Sequence, residues 1–372
     1  MESQPVETMS VDEKLKILLS IAEECINPDE LRSLIASGKP MIFYDGFEPS
    51  GRMHIAQGLL RAHNVNKITS VGGHFIFWVA DFFAQMNHKL GGDIDKIRDA
   101  GKLMIEIWKA CGMKMENVEF IRASEEMVKR PGEHLKLLID VATKFTIGRM
   151  KKCAPALGRE ETEEFVFDED GKPIRAKSDE QTLSTLLYSA MQVADIPFLK
   201  VNVASLGVDQ RKILVINREL AEKNKNRHPP ILLLHHMLLG LDGSKKMAKA
   251  DPDNAIFMDD PAPEVNRKIK KAFCPEKVIA GNPILELVRF LIFEKSGQIQ
   301  IKRSVDNGGD IVFTNVDEFE AAFAEGKIHP GDLKPNVARI LNEFLEPVRE
   351  HFAKNPEAAK LATKVKNFKL TK

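Results

Sequence analysis

One stretch of sequence decides the fold, Tyr44-Asp45-Gly46-Phe47-Glu48-Pro49-Ser50-Gly51-Arg52-Met53-His54-Ile55-Ala56-Gln57-Gly58. It begins at the end of a short apolar run, Met41–Tyr44, that predicts a strand, and its loop is rich in turn formers. His54–Ser70 then predicts a helix that leads to a second strand, His74–Val79. Strand, helix and strand in this order form a βαβ unit, so the stretch predicts an α/β fold with a parallel sheet.

Helical signals dominate both ends of the chain. Ser10 and Glu13 have the spacing of a capping box, and the segments past Asp251 follow helical periodicity. Between these ends, Phe165–Arg175 carries an Asp-Gly pair between two β-prone runs, which predicts a hairpin inserted in a helical region. We therefore predict three parts: an N-terminal helical extension over residues 1–40, a parallel-sheet domain over 41–255 and a mainly helical C-terminal domain over 256–372.

Composition narrows the class of protein. The chain has 372 residues, a formal net charge of +0 and 29% charged residues, which argues against nonspecific coating of nucleic acid. No basic and then apolar leader opens the sequence, and the richest apolar runs are too short or too interrupted to span a bilayer. The four cysteines form no C-x-x-C pair. We expect a reduced, cytoplasmic protein with no zinc site and no membrane segment.

A polar helix face is the most informative feature beyond the fold. Tyr188, Gln192 and Asp195 fall at i, i+4 and i+7 and therefore share one side of a predicted helix. A core face would be apolar, and burying these groups without partners would be costly. This helix face is therefore either exposed to solvent or lines a polar pocket. A glycine turn with further polar groups, Leu206–Lys212, follows downstream.

Two loops complete the set of motifs. In Lys245–Ala250, two lysines three residues apart can bring ammonium charges to a triphosphate, although most basic runs of this kind are simply solvated. The stretch His329–Lys334 predicts a turn that enters a helix, with Asp332 near the helix N-terminus as a common cap.

In this order the motifs resemble those of class I aminoacyl-tRNA synthetases, and in particular tyrosyl-tRNA synthetases of the archaeal and eukaryotic kind. His54-Ile55-Ala56-Gln57 stands where the family has His-Ile-Gly-His. Lys246–Ala250 is similar to Lys-Met-Ser-Lys-Ser, with alanine in both serine places, and His329–Lys334 resembles the entry to the anticodon-reading domain. The resemblance runs from Ile42 to Phe352. It implies a Rossmann-like catalytic domain, a helical anticodon-binding domain and a tyrosine–tRNA ligase activity.

The resemblance also implies roles for individual residues. Tyr44 and Asp195 would meet the phenol hydroxyl of tyrosine, and Tyr188, Gln192 and Gln210 would hold its ammonium group. His54, Lys246 and Lys249 would be catalytic, binding the phosphates and clamping the departing pyrophosphate beside Mg²⁺. The ATP site as a whole would comprise Gly46, Gly51, His54, Gln57, Gly207, Asp209, Lys246, Met247 and Lys249.

The partners implied are tyrosine, ATP with Mg²⁺, tRNA(Tyr) and a second copy of the chain. Asp332 would accept a hydrogen bond from an anticodon base, and the dimer interface would lie within residues 85–185. No tightly bound cofactor is expected. Basic strips are candidate tRNA contacts, although many such side chains are simply solvated: Lys144, Arg149, Lys151, Lys152, Arg267, Lys268, Lys270 and Lys271.

Several departures from the family pattern keep alternatives open. The second signature lacks both serines, Asn307 stands where relatives often have an aromatic residue, and Ser189 stands where they often have proline. The hairpin of Phe165–Arg175 is an addition. A synthetase-like protein that binds RNA or tyrosine without efficient charging is one alternative. A tryptophanyl-tRNA synthetase and an unrelated nucleotidyltransferase are two more.

Overall fold

The computed structural model describes residues 9–153, 182–226, 228–247 and 251–369, and the backbone alone of 163–167 and 173–177. The chain divides into two compact units. The first unit comprises residues 1–48, 70–94 and 117–236, and the second comprises 49–69, 95–116 and 237–372. Each unit is therefore assembled from three separate stretches of chain.

Helices account for most of the regular structure. In chain order they are α1 (Val11–Leu19), α2 (Pro28–Ala36), α3 (Arg61–Ser70), α4 (Asp81–Met86), α5 (Ile94–Ala110), α6 (Ala123–Lys129), α7 (Pro131–Lys144), α8 (Ile147–Lys151), α9 (Leu183–Phe198), α10 (Arg211–Lys223), α11 (Ala262–Lys271), α12 (Pro283–Leu287), α13 (Glu294–Ser296), α14 (Val316–Ala324), α15 (Pro330–Lys354) and α16 (Pro356–Lys366). Two π-helical segments, Ala56–Leu60 and Val288–Phe293, run directly into α3 and α13.

The strands are β1 (Glu24–Ile26), β2 (Ile42–Phe47), β3 (His74–Val79), β4 (Val118–Arg122), β5 (Glu163–Phe167), β6 (Pro173–Lys177), β7 (Val203–Ala204), β8 (Ile231–Leu234), β9 (Ile299–Ile301) and β10 (Ile311–Phe313). Six of them form the sheet of the first unit, in the order β1-β8-β7-β2-β3-β4. All neighbours in it are parallel except β1, which pairs antiparallel with β8. The predicted parallel α/β fold is thus confirmed.

The core of the first unit lies against this sheet. The side chains of β3 after His74 are buried, as expected of a parallel strand covered on both faces. Trp78, Phe198 and Leu234 belong to one buried cluster. A second buried cluster joins α7, α9 and α10 through Val141, Val193 and Ile213. The first cluster holds α9 at the sheet, and the second joins α9 to α7 and α10.

The second unit confirms most of the helical predictions. Helix α5 buries one apolar stripe, and α11 to α16 confirm the helical periodicity predicted past Asp251. The predicted turn at His329–Lys334 is already helical from Pro330 onward, and His329 caps α15 by accepting the Gly331 N–H. Asp332 is therefore a first-turn residue and not the cap. No described helix is both long and apolar enough to cross a bilayer.

Local differences from the sequence predictions occur at both ends of the first unit. The capping box of Ser10 and Glu13 forms as expected. The N-terminal segment contains not only helices but also β1, which lengthens the sheet. Strands β5 and β6 pair antiparallel, which confirms the predicted hairpin, whereas its turn residues lie outside the described part of the chain.

Candidate active site

Tyr44 and Asp195 lie together in the interior of the first unit. Tyr44 projects from β2 and is 1% exposed, and Asp195 lies on α9 and is fully buried. The Oδ1 atom of Asp195 is 3.4 Å from Nε2 of His134 on α7. Its Oδ2 atom is buried and has no hydrogen-bond partner among the described residues. A buried polar atom of this kind is what a site complementary to a polar ligand group would present.

Burial controls the protonation of these two groups. It raises the pKa of Asp195 to about 6, although the neighbouring His134 acts in the opposite direction. Burial also raises the pKa of Tyr44 well above its usual value, and the charge of Asp195 adds to the effect. The tyrosine therefore stays a neutral hydrogen-bonding hydroxyl. The carboxyl group is ionised at neutral pH but releases its proton reluctantly.

Gly46 makes room for the Tyr44 hydroxyl. It lies two residues after Tyr44 on β2, so both residues point to the same face of the sheet. A Cβ atom at Gly46 would lie 2.8 Å from the Tyr44 oxygen. The prediction that Gly46 belongs to an ATP site stays a prediction; the structure shows that a side chain at this position would meet the Tyr44 hydroxyl.

A second polar group of α9 lies beside Asp195. Gln192 donates from Nε2 to Oε1 of Gln210 at 3.1 Å, and its own Oε1 is buried without a partner in the described ranges. Tyr188 is partly buried, and its ring packs edge-on against Phe83 with centroids 4.9 Å apart. Burial raises the pKa of Tyr188, and the carboxylate of Glu48 raises it further. The structure therefore brings together the residues predicted for the ammonium end.

Glu48 is a candidate site residue that the sequence analysis missed. Its two carboxylate oxygens accept hydrogen bonds from Nδ2 of Asn87 at 3.1 and 3.2 Å, and it also interacts with the Tyr188 hydroxyl. Its position directly after β2, within the stretch that decides the fold, was a signal that could have identified it. A carboxylate at this point supplies negative charge next to the Tyr188 hydroxyl.

The first signature lies in the second unit, where residues far along the chain fix it. His54 forms an isolated antiparallel bridge with Phe257, and Arg52 binds Asp259 and Asp260 with Nη2 distances of 2.6 and 2.8 Å. Gly51 adopts φ +115°, a left-handed conformation that favours glycine. The helix start is thereby held in one position.

The side chains of this signature are largely buried. His54 is 8% exposed, and its Nδ1 accepts the backbone N–H of Gln57 at 3.4 Å. The Gln57 carbonyl accepts the indole N–H of Trp108 at 2.8 Å, and its side-chain oxygen is buried without a partner in the part of the chain described. The ring of His54 is therefore held by its own turn, and the backbone of Gln57 is held by α5.

Of the second signature, the structure describes the first two residues, Lys246 and Met247. Met247 is buried, and the Lys246 carbonyl accepts the hydroxyl of Ser244 at 3.5 Å. The same Ser244 oxygen accepts Nδ2 of Asn254 at 3.0 Å, which fixes the loop before the lysines. The prediction for Lys249 falls outside the described residues.

Gly207 and Asp209 follow the carboxyl end of β7. Gly207 forms a parallel bridge with His235, and Asp209 lies in a short 3-10 turn that leads into α10. The carboxyl ends of parallel strands are where ligands bind in open α/β sheets. The placement of Gly207 and Asp209 in the first unit is compatible with the predicted contact to a ribose. The backbone of Gly207 has φ −64°, which any residue can adopt, so its conformation does not require glycine.

The candidate tRNA residues are dispersed. Asp332 accepts Nδ2 of Asn307 at 3.1 Å, so the two residues singled out by the sequence are direct neighbours. Lys151 ends α8 and Lys152 follows it on the surface. Lys268 was a wrong candidate, because it is 2% exposed and binds the buried Asp260 at 2.7 Å.

Comparisons with known proteins agree with this geometry. The family described as tRNA synthetases class I (W and Y) matches residues 36–346. Tyrosine–tRNA ligase 1, cytoplasmic, of Arabidopsis thaliana is 43% identical over 97% of this chain and 90% of its own length.

Solved structures extend the comparison. Tyrosyl-tRNA synthetase of Leishmania major, in complex with tyrosinol, has a TM-score of 0.87 and 39% identity; the match covers 97% of this chain and 66% of that one. Tyrosyl-tRNA synthetase of Pyrococcus horikoshii, complexed with L-tyrosine, has a TM-score of 0.84 and 31% identity over 96% of this chain and all of that one. These relatives support the tyrosyl interpretation and none of the alternatives. The chain therefore belongs to the tyrosyl-tRNA synthetases, which are class I aminoacyl-tRNA ligases.

Proposed function

We propose that this chain activates L-tyrosine with ATP to tyrosyl-adenylate and pyrophosphate, and then transfers the tyrosyl group to the 3′ end of tRNA(Tyr). The observation that carries the proposal is the buried pair of Tyr44 and Asp195, with one carboxylate oxygen lacking a partner among the described residues. A phenol hydroxyl is the substrate group that satisfies both, since it can donate to Oδ2 and accept from Tyr44.

Selection against phenylalanine follows from the same pair. A phenylalanine ring would leave the carboxylate of Asp195 and the hydroxyl of Tyr44 buried without a partner, and each unmet group costs about 1–3 kcal/mol or more when charged. The ammonium group of the substrate would be held by Tyr188, Gln192 and Gln210. Glu48 would supply the opposite charge.

In the activation step, the substrate carboxylate attacks the α-phosphorus of ATP and the bond to pyrophosphate breaks. Positioning and charge stabilisation, not covalent catalysis, would lower the barrier. His54 would bind the phosphates, with Lys246 and Lys249 on the leaving pyrophosphate. The remaining ATP contacts are those predicted above: Gly46, Gly51, Gln57, Gly207, Asp209 and Met247. The Mg²⁺ would arrive with the triphosphate.

In the transfer step, the terminal ribose hydroxyl of tRNA attacks the adenylate carbonyl and AMP leaves. Residues 41–255 would carry the chemistry, and residues 256–372 would read the anticodon. Asp332 would accept a hydrogen bond from an anticodon base, and Lys151 and Lys152 would contact the phosphate backbone. We place this activity in the cytoplasm, where the Arabidopsis relative is named.

A homodimer is supported by apolar side chains on α6 to α9. Six of them are 40–70% exposed: Val128, Leu135, Ile139, Ile147, Leu183 and Leu187. Exposed apolar clusters of this kind mark interaction surfaces, and all but one lie within the predicted interface at residues 85–185. Ile139→Asp should convert a dimer to a monomer in sedimentation, whereas Val312→Asp, at an exposed apolar residue of β10, should not.

Amino-acid-dependent exchange of labelled pyrophosphate into ATP tests the activation step. We expect exchange with tyrosine and little with phenylalanine or tryptophan. Asp195→Ala should lower the tyrosine-to-phenylalanine ratio of kcat/KM, while Asp140→Asn, at a partly exposed carboxylate of α7, should keep it. A folded protein that binds tyrosine without exchange would instead be a non-charging homologue.

A further inference from the structure

A buried histidine lies behind the selecting carboxylate. His134 is 6% exposed and occupies the side of α7 that packs on α9. Its ring meets Phe198 edge-on with centroids 5.1 Å apart, and the guanidinium group of Arg130 covers that phenyl ring at 4.0 Å. The imidazole is thus held by its neighbours, with Nε2 pointing at Asp195.

The two oxygens of Asp195 have different surroundings. Oδ1 lies 3.4 Å from the imidazole nitrogen, and Oδ2 has no partner among the residues described. A buried ion or polar pair rarely adds stability compared with apolar residues of similar size, so packing alone gives no reason for this arrangement. An asymmetric tether does give one, because it fixes the direction of the second oxygen.

We propose that His134 is a positioning residue for tyrosine selection: its Nε2–H donates to Oδ1 of Asp195 and leaves Oδ2 to accept the hydrogen bond of the substrate phenol. The proposal rests on the proposed function, since it assigns the phenol to that oxygen. His134 itself does not touch the substrate. It acts through the orientation and the ionisation of the carboxylate.

Ionisation gives the proposal a measurable signature. The titratable groups that face Asp195 are His134 from α7, Tyr44 from β2 and Tyr188 on its own helix. Burial raises the pKa of the carboxyl group to about 6, and His134 opposes that rise. Without the histidine, Asp195 should hold its proton to higher pH. A protonated Asp195 no longer penalises phenylalanine as an unpaired charge would.

The test compares three variants over pH 5.5 to 8.5. His134→Leu removes the donor, His134→Gln keeps an N–H donor, and Val141→Ala opens a cavity on the same helix as a control for stability. For each, pyrophosphate exchange gives kcat/KM for tyrosine and phenylalanine, and calorimetric titration gives the Kd for tyrosine.

We expect His134→Leu to move the midpoint of the tyrosine pH profile upward and to lower the tyrosine-to-phenylalanine ratio at pH 7 at least tenfold. His134→Gln should restore most of both. Val141→Ala should lower the melting temperature and change neither. A folded His134→Leu protein with the wild-type midpoint and ratio would overturn the proposal, as would a Val141→Ala protein that shifts both equally.

Failure of the proposed function is a separate outcome. If the wild-type chain binds tyrosine but shows no exchange, the function fails, and the pH dependence of the Kd still decides the role of His134. If the wild-type chain neither binds tyrosine nor exchanges, both are wrong.

Discussion

Asp195→Asn should stabilise the folded chain at neutral pH while it impairs tyrosine selection. Burial raises the pKa of Asp195 from 3.8 to about 6, a difference of roughly two units. At 1.36 kcal/mol per unit, ionising this group costs the folded state about 3 kcal/mol relative to the unfolded chain. Asparagine has a similar shape and no charge to desolvate.

The direction of the Asp195 pKa shift determines the pH range over which Asp195→Asn is expected to stabilise the fold. A folded-state pKa above the unfolded value means that the folded chain binds the proton more tightly, so the penalty is absent below about pH 4 and complete above about pH 6 to 7. The advantage of Asp195→Asn over wild type should therefore grow across that interval and stay constant at higher pH.

Urea unfolding followed by tryptophan fluorescence can measure the free energy of unfolding of the first unit, which contains Asp195. The chain has two tryptophans, and Trp78 lies in the first unit with Asp195. Trp108 belongs to the second unit and can be replaced by phenylalanine in every protein compared. The fluorescence change then reports the surroundings of Trp78, and unfolding free energies at pH 4.5, 6 and 8 give the pH dependence.

Asp140 supplies the matched control. It lies on α7, the helix that packs on α9, and is partly exposed. Partial burial acts to raise its pKa, but the hydrogen bonds from Lys144 and Asn224 outweigh burial and lower the pKa. Asp140→Asn should therefore bring no gain at high pH. If Asp195→Asn gave the same advantage at pH 4.5 and pH 8, or destabilised the chain at pH 8, the reasoning from burial would be refuted.

Three further changes have expected outcomes. Gly58→Ala places Cβ 2.3 Å from the sulfur of Met258, so it should cost about 1–3 kcal/mol in thermal unfolding, and Met258→Ala in the same chain should recover part of that loss. Lys268→Met leaves Asp260 buried with one cation fewer and should cost about 3 kcal/mol in urea unfolding; an unchanged value would contradict the pairing. Asp332→Ala should raise KM for tRNA about tenfold in aminoacylation and leave tyrosine-dependent exchange unchanged, and an equal loss in both assays would argue against anticodon reading.

Local patterns made much of the fold predictable. Strands β3 and β4 and the buried stripe of α5 follow from apolar periodicity within one element. The shared face of Tyr188, Gln192 and Asp195 needed only the helical repeat. Strands β1 and β7 were missed because three and two residues carry too little pattern to stand out.

Contacts between distant elements were not predictable in the same way. His134 meets Asp195 across 61 residues, and nothing in the sequence around Pro131 marks a histidine that faces another helix. Arg52 likewise gives no sign of its carboxylate partners. Such pairs depend on how elements pack, whereas a motif such as His54–Gln57 can be identified within its own segment.

The pairing of Arg52 with Asp259 also affects how the chain folds during its synthesis. The two residues are separated by 207 positions, so at roughly 5–20 residues per second a ribosome needs about 10–40 s to make the second after the first. Throughout that interval the first signature lacks the segment that fixes it. The first unit ends at residue 236 and can close earlier. A nascent chain of this protein therefore carries an unfinished, partly apolar segment for many seconds, which is the kind of surface that ribosome-associated chaperones bind.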